Sequence, residues 1–190
     1  MLGEGDLVVT HGTYHGCGPD PLIAFDLWRV QDGKIAEHWD ALQPVVIQTA
    51  SGHTQTDRPT QVTAPEQTAA SKALAERFVQ TILVDGGRSQ LAGFFNGDAY
   101  IQHNPLIPDK VSGLGAALEQ LAKQGITMQY TKRHRTVAEG EFLFTQSEGT
   151  FGGKPYAFYD LFRVDNGFIA EHWDVMVEQA DALPHGNGLF

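Results

Sequence analysis

The chain has 190 residues and a mass of 20.8 kDa, enough for one domain or one and a fraction. Apolar residues make up 42% and aromatics 10%, which fills a real core and excludes a disordered tail. Thirteen Lys and Arg against 23 Asp and Glu give a formal charge of −10, a field that repels nucleic acid. No apolar run approaches the roughly 18 residues of a membrane span, and the start lacks a basic-then-apolar signal pattern. The single Cys17 permits neither an internal disulfide nor a Cys-based zinc site. A cytoplasmic acidic protein is expected, with no nucleic-acid or membrane partner.

The first element is a partial repeat, residues 1–48. Asp26-Leu27-Trp28-Arg29-Val30-Gln31-Asp32-Gly33-Lys34-Ile35-Ala36-Glu37-His38-Trp39-Asp40 matches residues 160–174 at 11 of 15 positions, with a constant offset of 134. Upstream, residues 4–10 parallel 139–145 at an offset of 135. Nothing before residue 4 corresponds to residues 66–138. The chain therefore carries the strand half of a unit, then a complete unit at 66–180 and a tail at 181–190. Residues 49–65 between them are rich in Ser, Thr, Gln and Pro and read as a flexible linker.

The complete unit opens with helices. Thr63-Ala64-Pro65-Glu66 has the form of a capping box, and Leu74, Phe78 and Ile82 make an apolar stripe that Gly86-Gly87 ends. A short helical piece is expected near Leu91–Phe95. Ser112 is placed to cap a second long helix with Leu114, Ala117, Leu118 and Leu121 on one face and Gly125 at its end. Strands follow at about 126–138, 141–151, 155–164 and 168–178, separated by Gly turns. Helices first and antiparallel strands afterwards predict an α+β fold.

The turn Asp165-Asn166-Gly167-Phe168 allows two registers. A two-residue turn sets Asp160 opposite Trp173, and a three-residue turn with a Gly bulge sets it opposite His172. The second is preferred, because it gives every buried charge a partner. It gathers Phe158, Asp160, Phe162, Ala170, His172 and Asp174 on one face. Tyr159, Leu161, Arg163, Ile169, Glu171 and Trp173 go to the other, with Arg163 near Glu171. A second polar cluster is Tyr100-Ile101-Gln102-His103-Asn104-Pro105.

Together these motifs resemble the SnoaL-like polyketide cyclase family of the nuclear-transport-factor-2-like superfamily. The resemblance covers residues 66–180, and its strand half recurs at 4–46. It implies a cone-shaped α+β barrel, with helices packed on a bent antiparallel sheet around a deep apolar pocket. It also implies an acid/base aspartate that works without metal or cofactor. Asp174 is the nearest match, and Asp160 is the alternative. His172 would share the proton or orient the carbonyl. Tyr100, His103, Asn104, Phe158 and Phe162 would contact the ligand, a small hydrophobic carbonyl compound.

Two carboxylates in an aromatic lining have both burial and like charge to raise a pKa, as proton abstraction beside a carbonyl requires. A metal is the competing chemistry, since His103, His172, Asp160 and Asp174 are acceptable ligand types. No tight ligand spacing supports it, so neither metal nor cofactor is expected. The noncatalytic alternative is a ligand-binding or dimerisation module of the same fold. The apolar sheet face, with Tyr159, Leu161, Ile169 and Trp173, needs cover. A homodimer would supply it, or residues 4–46 would form a small antiparallel sheet presenting Phe25, Leu27, Ile35 and Trp39 as an intramolecular pseudo-dimer. A swapped dimer and a truncated tandem gene product are further possibilities.

Overall fold

A computed structural model describes residues 1–57, 59–180 and 182–190. Strands β1 (Leu2–Glu4), β2 (Leu7–Tyr14), β3 (Leu22–Gln31) and β4 (Lys34–Pro44) form a four-stranded antiparallel meander. Helix α1 (Thr68–Phe78) follows and runs on as a π-helical segment, Val79–Val84. A 3₁₀ piece at Arg88–Phe94, the short β5 (Ile101–Gln102) and α2 (Val111–Lys123) come next. Strands β6 (Met128–Glu139), β7 (Phe142–Phe151), β8 (Lys154–Asp165) and β9 (Phe168–Glu178) complete a second sheet, ordered β5-β9-β8-β7-β6. The fold is α+β with two sheets, as expected. The second sheet is open at β5 and β6, so helices and loops enclose its concave side, not strand closure. Among the described residues no helix is long and apolar enough to cross a membrane.

The helix signals fall near their predicted places, but the caps are different. Thr63 donates its backbone N–H and hydroxyl to Glu141 on the β6–β7 turn, so it ties the linker to the sheet rather than boxing with Glu66. Ser112 lies inside α2, where its N–H and Oγ bond to Asp98 at 2.7 and 2.8 Å. A carboxylate there suits the positive end of the helix. Leu74, Phe78 and Ile82 pack with Phe162, Val164 and Ile169 in one core beneath α1.

The β8–β9 hairpin follows neither expected register. Asn166 and Gly167, at φ of 50° and 78°, form the two-residue turn that pairs Asp165 with Phe168. An extra residue, Ala170, then bulges out between the pairs Val164–Ile169 and Arg163–Glu171. Beyond the bulge Phe162 faces His172, and Asp160 faces Asp174. The bulge restores the expected parity for Phe158, Asp160, Phe162, His172 and Asp174. It also flips Ile169, which turns into the core beneath α1 and not toward the N-terminal sheet. Strands β3 and β4 repeat this pattern, with a register shift at Arg29/Val30 and Asp26 opposite Asp40.

The two sheets pack face to face through Val9, Phe25 and Leu27 on one and Phe144, Tyr159, Trp173 and Val175 on the other. Each large side chain buried there contributes about 1.5–3 kcal/mol. Trp39 is half-buried under Arg135, whose guanidinium lies 3.8 Å from its ring centroid. Ile35 is 64% exposed, contrary to expectation. It pairs with Val30 as Ile169 does with Val164, so it faces the side that helices cover only in the complete unit. The 49–65 segment, expected to be a free coil, is bonded down. Thr54 O lies 2.7 Å from His103 Nδ1, Asp57 O accepts from Trp173 Nε1 at 3.2 Å, and Gln55 Oε1 accepts from Val46 N at 2.7 Å.

Candidate active site

Between α2, the concave face of β6–β9 and the loop at 104–107 lies a cavity of about 430 Å³. The α2 stripe Leu114, Ala117, Leu118 and Leu121 forms one wall, with Phe162 and Met176 opposite. Asp160, His172, Asp174, Asn104, Tyr100 and Tyr130 supply its polar groups. The mostly apolar lining with a few converging polar groups is what small-molecule sites share.

Asp160 is 1% exposed and triply held. Tyr130 donates its hydroxyl to both carboxylate oxygens at 3.0 and 3.2 Å, and His172 Nε2 lies 3.0 Å from Oδ1. On the far side of the imidazole, His172 Nδ1 is 3.2 Å from Gln102 Oε1. That amide cannot be turned round, because the same oxygen accepts the backbone N–H groups of His103 and Asn104, each at 2.9 Å. Both ring nitrogens of His172 thus meet acceptors, and the doubly protonated ring satisfies both. Burial opposes that charge, but the Asp160 hydrogen bond and the nearby Asp174 carboxylate outweigh it and raise the His172 pKa.

Asp174, directly across from Asp160, is bonded differently. Asn104 Nδ2 donates to its two oxygens at 3.0 and 2.8 Å. Asp174 is half-buried and lines the cavity. Burial raises its pKa; His172 pulls it down, Asp160 pushes it up and Asn104 pulls it down, with a net rise. Tyr100 is 5% exposed and accepts from Gln102 Nε2 at 3.1 Å. Its own hydroxyl proton has no acceptor among the described residues, and burial, then Asp174 and Asp160, push its pKa well up, so it stays a donor.

Of the residues the sequence singled out, the fold brings Asp160, His172, Asp174, Asn104, Tyr100 and Phe162 onto this one cavity. His103 and Phe158 are elsewhere. The His103 ring stacks on Trp173 at 4.6 Å between centroids and is fully buried, with Nε2 2.9 Å from Glu171 and Nδ1 3.0 Å from Asp57. It faces the linker because β5 runs parallel beside β9, so the residue after Gln102 points to the opposite sheet face. Phe158 lies behind Tyr130, stacked at 4.1 Å. Tyr130 and Gln102 were not foreseen. Gln102 stood inside the quoted motif, whereas Tyr130 sits on the sheet's far edge strand with no local signal.

Asp160, His172 and Asp174 offer ligand atoms within 4.8 Å of one another, and so do Asp26, His38 and Asp40. In the cavity these atoms already bond to Tyr130, Gln102 and Asn104. The N-terminal trio keeps the His–Asp bond, 2.9 Å from His38 Nε2 to Asp26, with Tyr14 donating to Asp26 at 2.7 Å. It lies on the sheet's outer face, with His38 and Asp40 exposed.

The chain matches no protein-family profile and no curated protein. Its fold is similar to solved structures of a candidate ketosteroid isomerase from Kribbella flavida, TsrD from Streptomyces laurentii and an LEH-like epoxide hydrolase of M. tuberculosis. The first is 17% identical with a TM-score of 0.48, over 63% of this chain and 86% of that one. TsrD is 21% identical at 0.44, covering 57% and 88%. The epoxide hydrolase is 20% identical at 0.43, covering 58% and 85%. At that level of likeness, the chemistry has to come from the side chains themselves.

Proposed function

We propose that this chain is a SnoaL-like acid/base enzyme that acts without cofactor on a small hydrophobic carbonyl compound. Asp174 is the base. It takes a proton from the carbon beside the carbonyl, and the developing enolate oxygen accepts a hydrogen bond from Tyr100. The proton then returns from Asp174 to another atom of the ligand, or the carbanion closes a ring on a second carbonyl in an aldol step and the resulting alkoxide takes the proton back from Asp174. The Asp160–His172 pair holds a positive imidazolium beside Asp174, which favours its charged form. The N-terminal sheet takes the place of a second subunit on the convex face.

The observation that carries this reading is the different bonding of two facing carboxylates. Asp160 is committed to Tyr130 and His172, while Asp174 borders the cavity with a raised pKa and only an amide as donor. The test is loss of α-protons from 2-tetralone in D₂O, followed by proton NMR. The protein should accelerate exchange, and Asp174→Asn should reduce the acceleration by about 10²–10⁴-fold without unfolding. Saturable 2-tetralone binding with no exchange above buffer would favour the noncatalytic binding module instead.

A further inference from the structure

We propose that the N-terminal sheet completes this pocket, and that Gln43 is a specificity-determining residue recognising an oxygen substituent beside the carbon that Asp174 deprotonates. The proposal rests on the pocket reading above and names its ligand class more closely, as a hydrophobic carbonyl compound with a second, adjacent oxygen function.

Among the described residues, Gln43 is the only one from the first 65 that lines the cavity. It comes from the end of β4, which lies against β9. At the repeat offset of 134 its counterpart is Val177, which packs against the apolar sheet interface. The N-terminal copy thus carries an amide where the complete unit carries a hydrocarbon side chain. A half-buried amide in such a place is costly unless it is bonded. Among the described residues its one side-chain bond is from Nε2 to the main-chain oxygen of Asp174 at 3.4 Å, long for an N–H donor. Its Oε1 has no donor among the described residues. On the cavity wall, beside the main chain of Asp174, one amide thus offers a free acceptor and a loosely held donor.

With the reacting carbon at Asp174, the neighbouring substituent meets Gln43. A hydroxyl there donates to Oε1, and a keto oxygen accepts from Nε2. The N-terminal part of the chain is also fixed to the cavity's mouth loop, since Ala50 N donates to Pro105 O at 2.9 Å. The backbone that follows Gln43 is therefore tied to that loop.

Two flat enol mimics test this on the full chain by fluorescence titration: 2-naphthol and 2,3-dihydroxynaphthalene. The unsubstituted protein should bind the diol about tenfold more tightly. Gln43→Val, which installs the side chain of the repeat counterpart, should remove that preference by weakening the diol about tenfold, with an unaltered melting temperature. Equal affinity for the two phenols in the unsubstituted protein, or a preference that survives Gln43→Val, overturns the role of Gln43. The pocket reading fails separately. If 2-naphthol does not bind, or binds with an affinity that Asp174→Asn leaves untouched, the acid/base site is wrong and the Gln43 role falls with it.

Discussion

Asp160 and Asp174 stand directly opposite each other on β8 and β9, yet of the two carboxylates His172 bonds to Asp160, leaving Asp174 to the amide of Asn104. Two facing carboxylates in a protein interior cannot both be comfortable as bare anions. Here one is neutralised by an imidazolium and the other takes the strain as a raised pKa. Environment assigns the roles, and the bulge at Ala170 creates that environment by bringing the two residues into register.

The first prediction concerns pH. Exchange should follow a bell, rising as Asp174 loses its proton above the ordinary carboxylate range and falling as His172 loses its charge above the ordinary imidazole value. Asn104 donates to ionised Asp174 and so lowers its pKa. In Asn104→Leu the acid limb should move to higher pH, which a rate profile across pH 4–9 would detect. If the limb stays where it is, Asn104 does not touch the catalytic form.

Stability at the same residue has a definite sign. Because the folded-state pKa of Asp174 is raised, its contribution is fully present below the unfolded value of 3.8 and is lost as pH rises through the folded value. Asp174→Asn should therefore gain on the unsubstituted protein as pH rises through that window, in urea melts at successive pH values. A constant difference between the two proteins would contradict it.

His11 carries the opposite dependence. It stacks on Phe25 at 4.1 Å within the sheet–sheet core, and burial, with the nearby His103, lowers its pKa to about 3. The folded state resists protonating it, so stability falls as pH drops from 6.5 towards 3, by on the order of 4–5 kcal/mol. His11→Phe should flatten the acid side of the melting-temperature profile. An unchanged profile would mean that the two sheets part, or admit water, at much lower cost.

Glu171 is 0% exposed and joins His103 at 2.9 Å to Arg163 at 2.7 Å on the face away from the cavity. Glu171→Gln leaves the Arg163 guanidinium without its buried counter-charge and should cost about 3–5 kcal/mol. Exchange per folded molecule should be unchanged, because the cavity is lined by other residues. Loss of exchange in a still-folded Glu171→Gln protein would place the chemistry on the wrong face.

The repeat supplies an internal comparison. Ile169, 1% exposed beneath α1, and Ile35, 64% exposed, occupy equivalent positions. Ile169→Ala should cost about 2–5 kcal/mol, and Ile35→Ala should lie within about 0.5 kcal/mol of zero. Equal losses in chemical denaturation would mean that the outer face of the N-terminal sheet is covered in solution.

Much of the fold was written in local patterns. The stripe of Leu74, Phe78 and Ile82, the Asn-Gly turn, the Arg163–Glu171 pair and the duplicated hairpin all come from periodicity, turn chemistry and self-similarity. The bulge had no such signal, because Ala170 is an ordinary strand residue and only the two-residue turn combined with burial of Phe162 and His172 demands it. His103 was misplaced for a related reason. Its orientation depends on β5 docking parallel to β9, a long-range pairing that two residues of strand do not announce. Tyr130 and Gln43 reach the cavity from a distant strand and from the other sheet, so nothing near them in sequence marks them.

The most direct measurement is the titration of the Asp174 side-chain carboxyl by ¹³C NMR, assigned with Asp174→Asn. A midpoint clearly above 3.8 that rises further when His172→Gln removes the neighbouring imidazolium is the predicted result. A midpoint at or below 3.8, or one indifferent to His172, would contradict the claim that Asp174 is the poised acid/base of this pocket.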